Sequence, residues 1–577
     1  MRRLGVYGDN LPTKRERSVQ AADFSIAGII GFFGRQFEKP FSVKSALEAK
    51  TIFGEQFDSA TYGWDAVRGF FENLSGEAGS LYILSPKGTA ATQAATTAIH
   101  ADVSIKSAYA GNDAFGAWSN NIGVKITRVN GFQSKLAAES SSSSVVMESV
   151  AGYKVGDQVI HNTVPTTVYT ITAINADTKT LVLSAGLTGA TGDTLAVAGY
   201  NLRVFNRSAT GEVVEVEQSL GKTLVTLNQN DRSKFISDVF ANSTQIKVDV
   251  TAGITTVIAD STHIVYLTGG TDGTLPTTDY TGYFPAFDGI PIRMAAIPET
   301  TAMPVHQSFE AYCKNREDNP IVFYVGQAGI TAKETLIQTG NAVQRMDEVD
   351  GVYVHNWVKI SDPFSNSGTA TRIVPNCGHL MGAWIRSIAR NGIHSSPARR
   401  NIPLMGIIEP VGFTADNDFD RTELAEAGVN VIQQARGIGI MLRNLFSLST
   451  SPEFKFANAI IQRNFIKISC VTALQISENT PNNIESVLND RVTVINFMHK
   501  LWKQGSNGNT KEGETFGQYM RDDGSLSTEA DGYEVIADAS NNPVSQLQIG
   551  NRNIDVYFMF PAPAGSIKIG VGIIYKA

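Results

Sequence analysis

The stretch SIAGIIGFFGRQFEKPFSVKSALEAKTIFG, residues 25–54, decides the fold class of this 577-residue chain. Its apolar beginning predicts a buried strand over residues 24–33. The segment KSALEAKTIFG then predicts an amphipathic helix that ends at Gly54, because glycine readily adopts the left-handed conformation found after many helices. A second helix is predicted over residues 62–73, and a strand, SLYILS, over 80–85. This β-α-α-β order favours an α/β fold with helices packed on a sheet.

Length and composition limit the kinds of protein that this chain can be. The chain is roughly four times as long as a ~150-residue domain, so several domains are expected. Its formal net charge of −7 argues against a protein that coats nucleic acid. The three cysteines, Cys313, Cys377 and Cys470, form no C-x-x-C pair, so we expect core thiols in a reduced, cytosolically assembled protein. The apolar run over residues 24–34 is too short to span a membrane, and no secretory signal is visible, so a soluble chain is expected.

The residue composition and the hydrophobic pattern change along the chain, and these changes predict five parts. An Ala/Thr-rich helical stretch is expected after Pro86, and the serine run Ser140–Ser144 is expected to be a flexible joint. Beyond it, short β-branched runs separated by turn residues indicate a small sandwich or barrel. The predicted parts are an extended N-terminal arm (1–22), α/β domains (23–131 with 200–400), an inserted small all-β domain (132–199), a C-terminal α/β domain (401–561) and a C-terminal arm strand (562–577).

Motifs for catalysis or cofactor binding are incomplete. Gly221-Lys222-Thr223 could end a phosphate-binding loop, but Val216 occupies the place of its first glycine. The acidic run that begins at Asp416 lacks the glycine and glutamate of a calcium loop, so we interpret it as a turn in which Asp420 caps a helix. No enzyme, metal site or cofactor is therefore expected.

Two local features leave alternatives open. His379 lies near Cys377, and His394 precedes a serine pair, but a nucleophile would need a partner in space that the sequence does not identify. The glycine-rich LTGGTDG, residues 267–273, suits a tight turn after a strand or, alternatively, a nest that binds an anion.

Several separated segments resemble one family in their order. The chain resembles the contractile-tail sheath proteins of bacteriophages and the sheaths of related contractile injection systems. The resemblance covers roughly residues 1–130 and 200–577 and leaves the β insertion unmatched. Its segments are GVY (5–7), the opening block at 25–54, DAVRGFFEN (65–73), AWSNNIGVKI (117–126), LTGGTDG with DYTGYF (279–284), GHLMGAWIRSIARNGIHSSPA (378–398), AGVNVI (427–432) and FPAPAGSIKIGVGI (560–573).

The resemblance implies a structural role. Sheath subunits form stacked hexameric rings around a tail tube and contract to drive the tube through the host envelope during genome ejection. It implies homo-oligomers, contacts with tail tube, baseplate and tail-terminator proteins, no direct contact with nucleic acid or membrane, and a place in the virion after assembly in the bacterial cytoplasm. The alternative is a virion surface or carbohydrate-binding tail component, which only the small β domain suggests.

The chain ends agree with assembly through exchanged strands. Residues 554–560 and 567–573 both alternate apolar side chains on one face, with a Pro/Ala break between them. Such strands suit β-augmentation of a neighbouring subunit, although an internal hairpin is the alternative. The predicted arm residues are Val6, Tyr7, Ile567, Ile569, Val571 and Ile573.

Contact with the tube is expected from the C-terminal domain, by the resemblance. The candidate element is a helix over residues 481–503. Its predicted polar, tube-facing residues are Glu485, Asp490, Arg491, Lys500 and Lys503, and its predicted core stripe is Val487, Leu488, Val492, Ile495, Met498 and Leu501.

Overall fold

The computed structural model describes residues 19–54, 60–208, 210–219, 224–251, 257–275, 279–346, 349–363, 365, 367–506 and 520–560, with the side chains of 503–506 left out. Gly221–Thr223, the predicted C-terminal arm and most of the predicted N-terminal arm lie outside these residues.

The described residues form helices and strands throughout. The α-helices are α1 (Ala46–Phe53), α2 (Gly63–Leu74), α3 (Ile236–Val239), α4 (Met303–Lys314), α5 (Lys333–Val343), α6 (Cys377–Asn391), α7 (Asp418–Glu426), α8 (Ala457–Leu474), α9 (Ile484–Ser506), α10 (Glu529–Gly532) and α11 (Val544–Gln548). The strands are β1 (Ile26–Ile30), β2 (Phe41–Val43), β3 (Ser80–Leu84), β4 (Ala95–His100), β5 (Val103–Tyr109), β6 (Asn112–Asp113), β7 (Ile122–Lys135), β8 (Ser140–Val146), β9 (Gln158–His161), β10 (Val164–Asn175), β11 (Thr180–Gly189), β12 (Thr194–Arg207), β13 (Val213–Gln218), β14 (Ile246–Val250), β15 (Val265–Tyr266), β16 (Met294–Ala296), β17 (Ile321–Tyr324), β18 (Gly351–Val354), β19 (Trp357–Ser361), β20 (Thr371–Val374), β21 (Glu409–Val411), β22 (Val429–Asn430), β23 (Ile432–Ala435), β24 (Gly439–Leu442), β25 (Tyr533–Ile536) and β26 (Asp555–Phe558).

A seven-stranded sheet organises the main body. Its order is β2-β3-β1-β16-β17-β18-β22, and every strand runs parallel to its neighbour except β2, which is antiparallel to β3. One face packs on α1, α2, α6 and α8, and the other face packs on α4, α5 and α7. Both faces are apolar because helices cover both of them. The predicted α/β class is confirmed.

Local sequence explains the first helix. The Ser45 hydroxyl accepts a hydrogen bond from the Glu48 backbone N–H at 3.1 Å, and the Glu48 carboxylate accepts one from the Lys44 N–H at 2.8 Å. These bonds satisfy donors that the first helical turn leaves free. Gly54 follows the helix with φ of +84°, a conformation that favours glycine.

The contact between α2 and α6 depends on glycine. Gly378 and Gly382 lie one turn apart on α6, and a Cβ atom at either position would overlap a carbonyl oxygen of α2, that of Ala66 or that of Phe70. Only glycine therefore allows the two helix backbones to approach this closely.

A second sheet forms the β module. Its order is β15-β7-β12-β9-β10-β11-β8, and β13 pairs with β12. The long strands β7 and β12 pair antiparallel from Ile122↔Asn206 to Lys135↔Thr194. Both contribute to a hydrophobic core next to the main body, and β12, with Leu136 directly after β7, also contributes to a second core farther along the module. The predicted boundaries at 131/132 and 199/200 fall inside these two strands.

Three local expectations in this region are wrong. The serine run is not a joint, because it forms most of β8 and pairs with β11. The Ala/Thr-rich stretch after Pro86 contains β4, not a helix, since β-branched threonine fits a pleated sheet well. The α/β region predicted to begin again at residue 200 does not begin there, because residues 200–205 continue β12.

The acidic run before α7 also differs from its interpretation. Asn417 is the N-cap, and its side-chain oxygen accepts a hydrogen bond from the Asp420 N–H at 2.8 Å. Asp420 lies inside the helix, and its carboxylate contacts Lys333 Nζ at 2.9 Å. This hydrogen bond lowers the pKa of Asp420.

The cysteines match their expected role. Cys313, Cys377 and Cys470 are buried and form no disulfide. Burial raises the pKa of each thiol, which keeps it protonated.

None of the helices in the described ranges combines the length and the apolarity needed to cross a bilayer.

Candidate functional site

A groove of about 940 Å³ lies between α8, α9 and β26. We call it the C-terminal groove. Its apolar lining consists of Ile466, Cys470, Val471 and Leu474 from α8, Val494 from α9, and Ile554, Val556 and Phe558 from β26 and the residue before it. The groove therefore joins an apolar helix surface to one side of a strand.

The strand at this groove belongs to a minimal sheet. β25 and β26 pair antiparallel, with Val535 opposite Val556, and no third strand joins them among the described residues. Ile554, Val556 and Phe558 face the groove, as their alternation in the sequence predicts, whereas Tyr557 is 58% exposed. A strand without a neighbour on one edge presents backbone donors and acceptors to a further strand.

An ion pair fixes the chain just before β26. Arg552 contacts the carboxylate of Asp490, a side chain on α9 that is 2% exposed. Asp490 also accepts a hydrogen bond from the Ser477 hydroxyl at 2.7 Å, and Arg552 Nε donates to Asn482 Oδ1 at 3.1 Å. Charge-assisted bonds of this kind are short and directional, so they set the position at which β26 begins.

The five residues that were predicted to form the polar side of α9 differ in their exposure. Glu485 and Lys500 are exposed, and Arg491 is half-buried with its Nε donating to the Val535 carbonyl at 3.1 Å. Asp490 does not belong to the exposed polar side, because it is buried, where it pairs with Arg552 and accepts a hydrogen bond from Ser477. The side chain of Lys503 lies outside the described residues.

The predicted core stripe of α9 is correct in part. Val487, Met498 and Leu501 are buried, but Leu488 and Val492 are 44% and 54% exposed. These two residues, which were predicted to be in the core, form an exposed apolar row with Ile484 at a spacing of four residues. The buried side instead includes Val494 and Phe497, so the true stripe is rotated around the helix.

The candidate nucleophiles are not assembled for catalysis. Cys377 and His379 are both buried on α6, and residues two apart do not face each other on a helix. Burial lowers the pKa of His379 to about 4, so this imidazole is neutral. The hydroxyl of Ser395, beside His394, lies 2.7 Å from the hydroxyl of Ser387. Across the described ranges, no group of three or more His, Cys, Asp or Glu side chains could hold a metal ion.

LTGGTDG makes structural contacts. The Gly270 N–H donates to Asn120 Oδ1 at 2.9 Å, and Asp272 Oδ1 accepts a hydrogen bond from the Ala117 N–H at 2.8 Å. The donor at Gly270, which an anion nest would use, is therefore engaged within the protein. The structure favours the turn.

Glu299 is a partly buried carboxylate that the sequence analysis missed. Its oxygens accept hydrogen bonds from the backbone N–H groups of Phe32 (2.9 Å), Tyr62 (3.0 Å) and Gly63 (2.7 Å). Burial raises its pKa to about 7, although the three donors oppose this rise. Phe32 lies just after β1, and Tyr62 and Gly63 lie at the start of α2. Glu299 therefore connects these two parts of the main body.

Comparisons with known proteins identify the fold. No protein-family model and no curated protein matches the chain. The solved sheath tail protein Lin1278 from Listeria innocua matches with a TM-score of 0.51 and 14% identity, over 94% of this chain and 96% of that one. The sheath tail protein DSY3957 from Desulfitobacterium hafniense has a TM-score of 0.45 and 14% identity over 89% and 93%. The contracted PVC sheath of an extracellular contractile injection system has a TM-score of 0.41 and 16% identity over 53% and 77%. The fold implied by the sequence resemblance is confirmed: the chain folds as the Lin1278 sheath tail protein does along nearly its whole length.

Proposed function

We propose that the chain is the structural subunit of a contractile tail sheath. Its copies form stacked hexameric rings around a tail tube, and their contraction drives the tube through the host envelope. The fold shared with a sheath tail protein over 94% of the chain supports this proposal, as do the ordered segments of the sequence.

The observation that carries the proposal is that β26, a strand at the edge of a two-stranded sheet, lies beside the apolar C-terminal groove. An arriving strand would pair with the edge of β26 that has no neighbouring strand among the described residues, and it would bury alternate apolar side chains in the groove. The predicted arm strand over residues 567–573 has this alternation, with Ile567, Ile569, Val571 and Ile573 on one face. Val6 and Tyr7 are the corresponding candidates in the N-terminal arm. Exchange of such strands keeps subunits connected while their bodies rotate.

The remaining assignments follow from the sheath role. The C-terminal domain, residues 401–561, faces the tube, with Glu485, Arg491, Lys500 and Lys503 as the candidate contacts. The β module projects from the outer surface, where insertions are tolerated. The partners are the tail tube, baseplate and tail-terminator proteins. The protein has no enzymatic role, and it assembles in the bacterial cytoplasm into a virion or a related particle.

Electron microscopy of the purified full chain tests the proposal. We expect hollow, regularly striated tubes. Deletion of residues 566–577 should leave a folded monomer, judged by circular dichroism, that forms no tubes. Tubes formed by the truncated chain would rule out the arm mechanism, and monomers that bind glycans instead of assembling would favour the surface-binding alternative.

Two neighbouring positions provide a matched pair of variants. Val556→Asp places a charge on the groove side of β26, whereas Tyr557→Asp places the same charge on the exposed side. We expect only Val556→Asp to prevent tube formation, because burying an unpaired carboxylate in an apolar groove is unfavourable. Equal assembly of the two folded variants would contradict a role for the groove.

A further inference from the structure

Four arginines from three separate segments of the chain line one concavity of about 450 Å³. Arg400 follows α6, Arg421 lies on α7, Arg436 lies in the turn between β23 and β24, and Arg443 follows β24 directly. We call this the arginine concavity. It lies apart from the C-terminal groove, since the two share no lining residue.

The positive charge of the concavity is only partly balanced within the chain. Arg421 pairs with Asp418, and Asp416 also lines the concavity. In the described part of the chain, Arg400, Arg436 and Arg443 make no ion pair. Burial and the nearby Arg443 guanidinium lower the pKa of Arg421. Within the described ranges, the fold thus holds four guanidinium groups near only two carboxylates, those of Asp416 and Asp418.

The walls of the concavity are held by hydrogen bonds within the protein. The Gln433 side-chain amide donates to the carbonyl oxygens of Thr414, at 3.1 Å, and Ala415. The β23–β24 pairing places Gln434 opposite Ile440, which fixes the turn that carries Arg436. Arg436 is therefore presented from a turn that the hairpin pairing holds in place.

The residue type indicates the ligand. Guanidinium groups bind carboxylates through two parallel hydrogen bonds, and arginine is enriched in protein interfaces where lysine is depleted. All the cationic residues that line this concavity are arginines. Because the whole chain has a formal charge of −7, the surface outside the concavity is more acidic than that total. Another copy of the chain is thus an electrostatically complementary partner.

We propose that the arginine concavity binds a carboxylate-bearing surface of a second copy of this chain. A concavity on one copy that meets a different surface on the next is a heterologous contact, which propagates into a ring or a helix. The inference rests on the proposed function, since it adds an electrostatic contact to an assembly that exchanged strands already connect.

Charge reversal at Arg436 tests the inference. Arg436 is exposed and Arg232, in the β module, has an 83% exposed side chain, so Arg436→Glu and Arg232→Glu make the same charge change without disturbing the core. We expect Arg436→Glu to raise the critical concentration for tube assembly about tenfold or more at low salt, while Arg232→Glu leaves it unchanged. Raising the salt from about 0.05 to about 0.5 M should weaken wild-type assembly and narrow this difference.

A second measurement separates this inference from the proposed function. Fluorescent poly-L-glutamate should bind the full-length wild type and Arg232→Glu, and should bind Arg436→Glu at least about tenfold more weakly. Equal binding of poly-L-glutamate by both variants overturns the inference, whether or not tubes form. A failure of the wild type to form tubes would by itself refute only the sheath proposal. Normal assembly of Arg436→Glu with lost poly-L-glutamate binding also overturns it, because the partner would then not be a second copy.

Discussion

Replacing Arg552 with alanine should release β26 from the C-terminal groove. The guanidinium contacts Asp490, which is 2% exposed, and also binds Asn482 in the segment before α9. Its removal leaves a buried carboxylate without this cation, which typically costs about 3–5 kcal/mol. Asp490 and Arg552 are 62 residues apart in sequence, so the loss also removes a connection between α9 and the strand.

The size of the effect can be measured by hydrogen exchange. At about 1.4 kcal/mol for each factor of ten, a loss of about 3 kcal/mol increases local opening on the order of 100-fold. Mass spectrometry of peptides that cover residues 533–558 should show this acceleration. Peptides from β17 and β18 should keep their wild-type rates, because these strands lie inside the seven-stranded sheet.

Two controls make the result specific. Lys359→Ala removes a largely exposed ion pair with Glu409, and such a pair contributes about 1 kcal/mol or less. Adding Asp490→Asn to Arg552→Ala should restore part of the protection, since the buried charge disappears. Exchange of β26 in Arg552→Ala within about threefold of wild type would refute the role of this pair, because that ratio corresponds to less than about 1 kcal/mol.

Two further predictions concern the main body. Gly382→Ala should lower the free energy of unfolding by about 1–3 kcal/mol in urea denaturation, because the new methyl group meets the Phe70 carbonyl, whereas Gly282→Ala, where no atom lies within 4 Å, should have little effect. Glu299 has a pKa of about 7 in the folded protein, above its ordinary 4.5, so the folded state binds its proton more tightly and stability should fall, by on the order of 2 kcal/mol, as the pH rises from about 4.5 to 7. Glu299→Gln should remove this part of the pH profile, while Glu453→Gln, at an exposed site, should leave it intact; equal profiles for both variants would contradict the assignment.

The parts of the fold that could be predicted depend on neighbouring residues. The strand, helix and Gly54 of the opening block are encoded by apolar spacing and by caps within a few positions. The same holds for the alternation of Ile554, Val556 and Phe558, which places them on one side of β26. Local patterns thus predicted the sheet class and the shared face of these three side chains.

The failures arise where distant residues decide. Asp490 looks like a surface residue in its helix, and nothing near it in sequence shows that Arg552 will bury it. The serine run looks like a linker, but pairing with β11 supplies the hydrogen bonds that make it a strand. The arginine concavity was missed for the same reason, since its four arginines come together from three segments that are distant in sequence.

The shared strands β7 and β12 have a mechanical consequence. Each has 14 residues, so each spans roughly 45 Å. Both strands contribute side chains to the core next to the main body, and β12, with Leu136 directly after β7, also contributes to the second core. The chain therefore leaves and re-enters the body through a double-stranded beam whose pairing is continuous apart from one register shift. Under the proposed function, a subunit that rotates during contraction would move its β module with it as a rigid extension. A force applied at the far end of β7 and β12 would then exert a torque on the main body over the length of these strands.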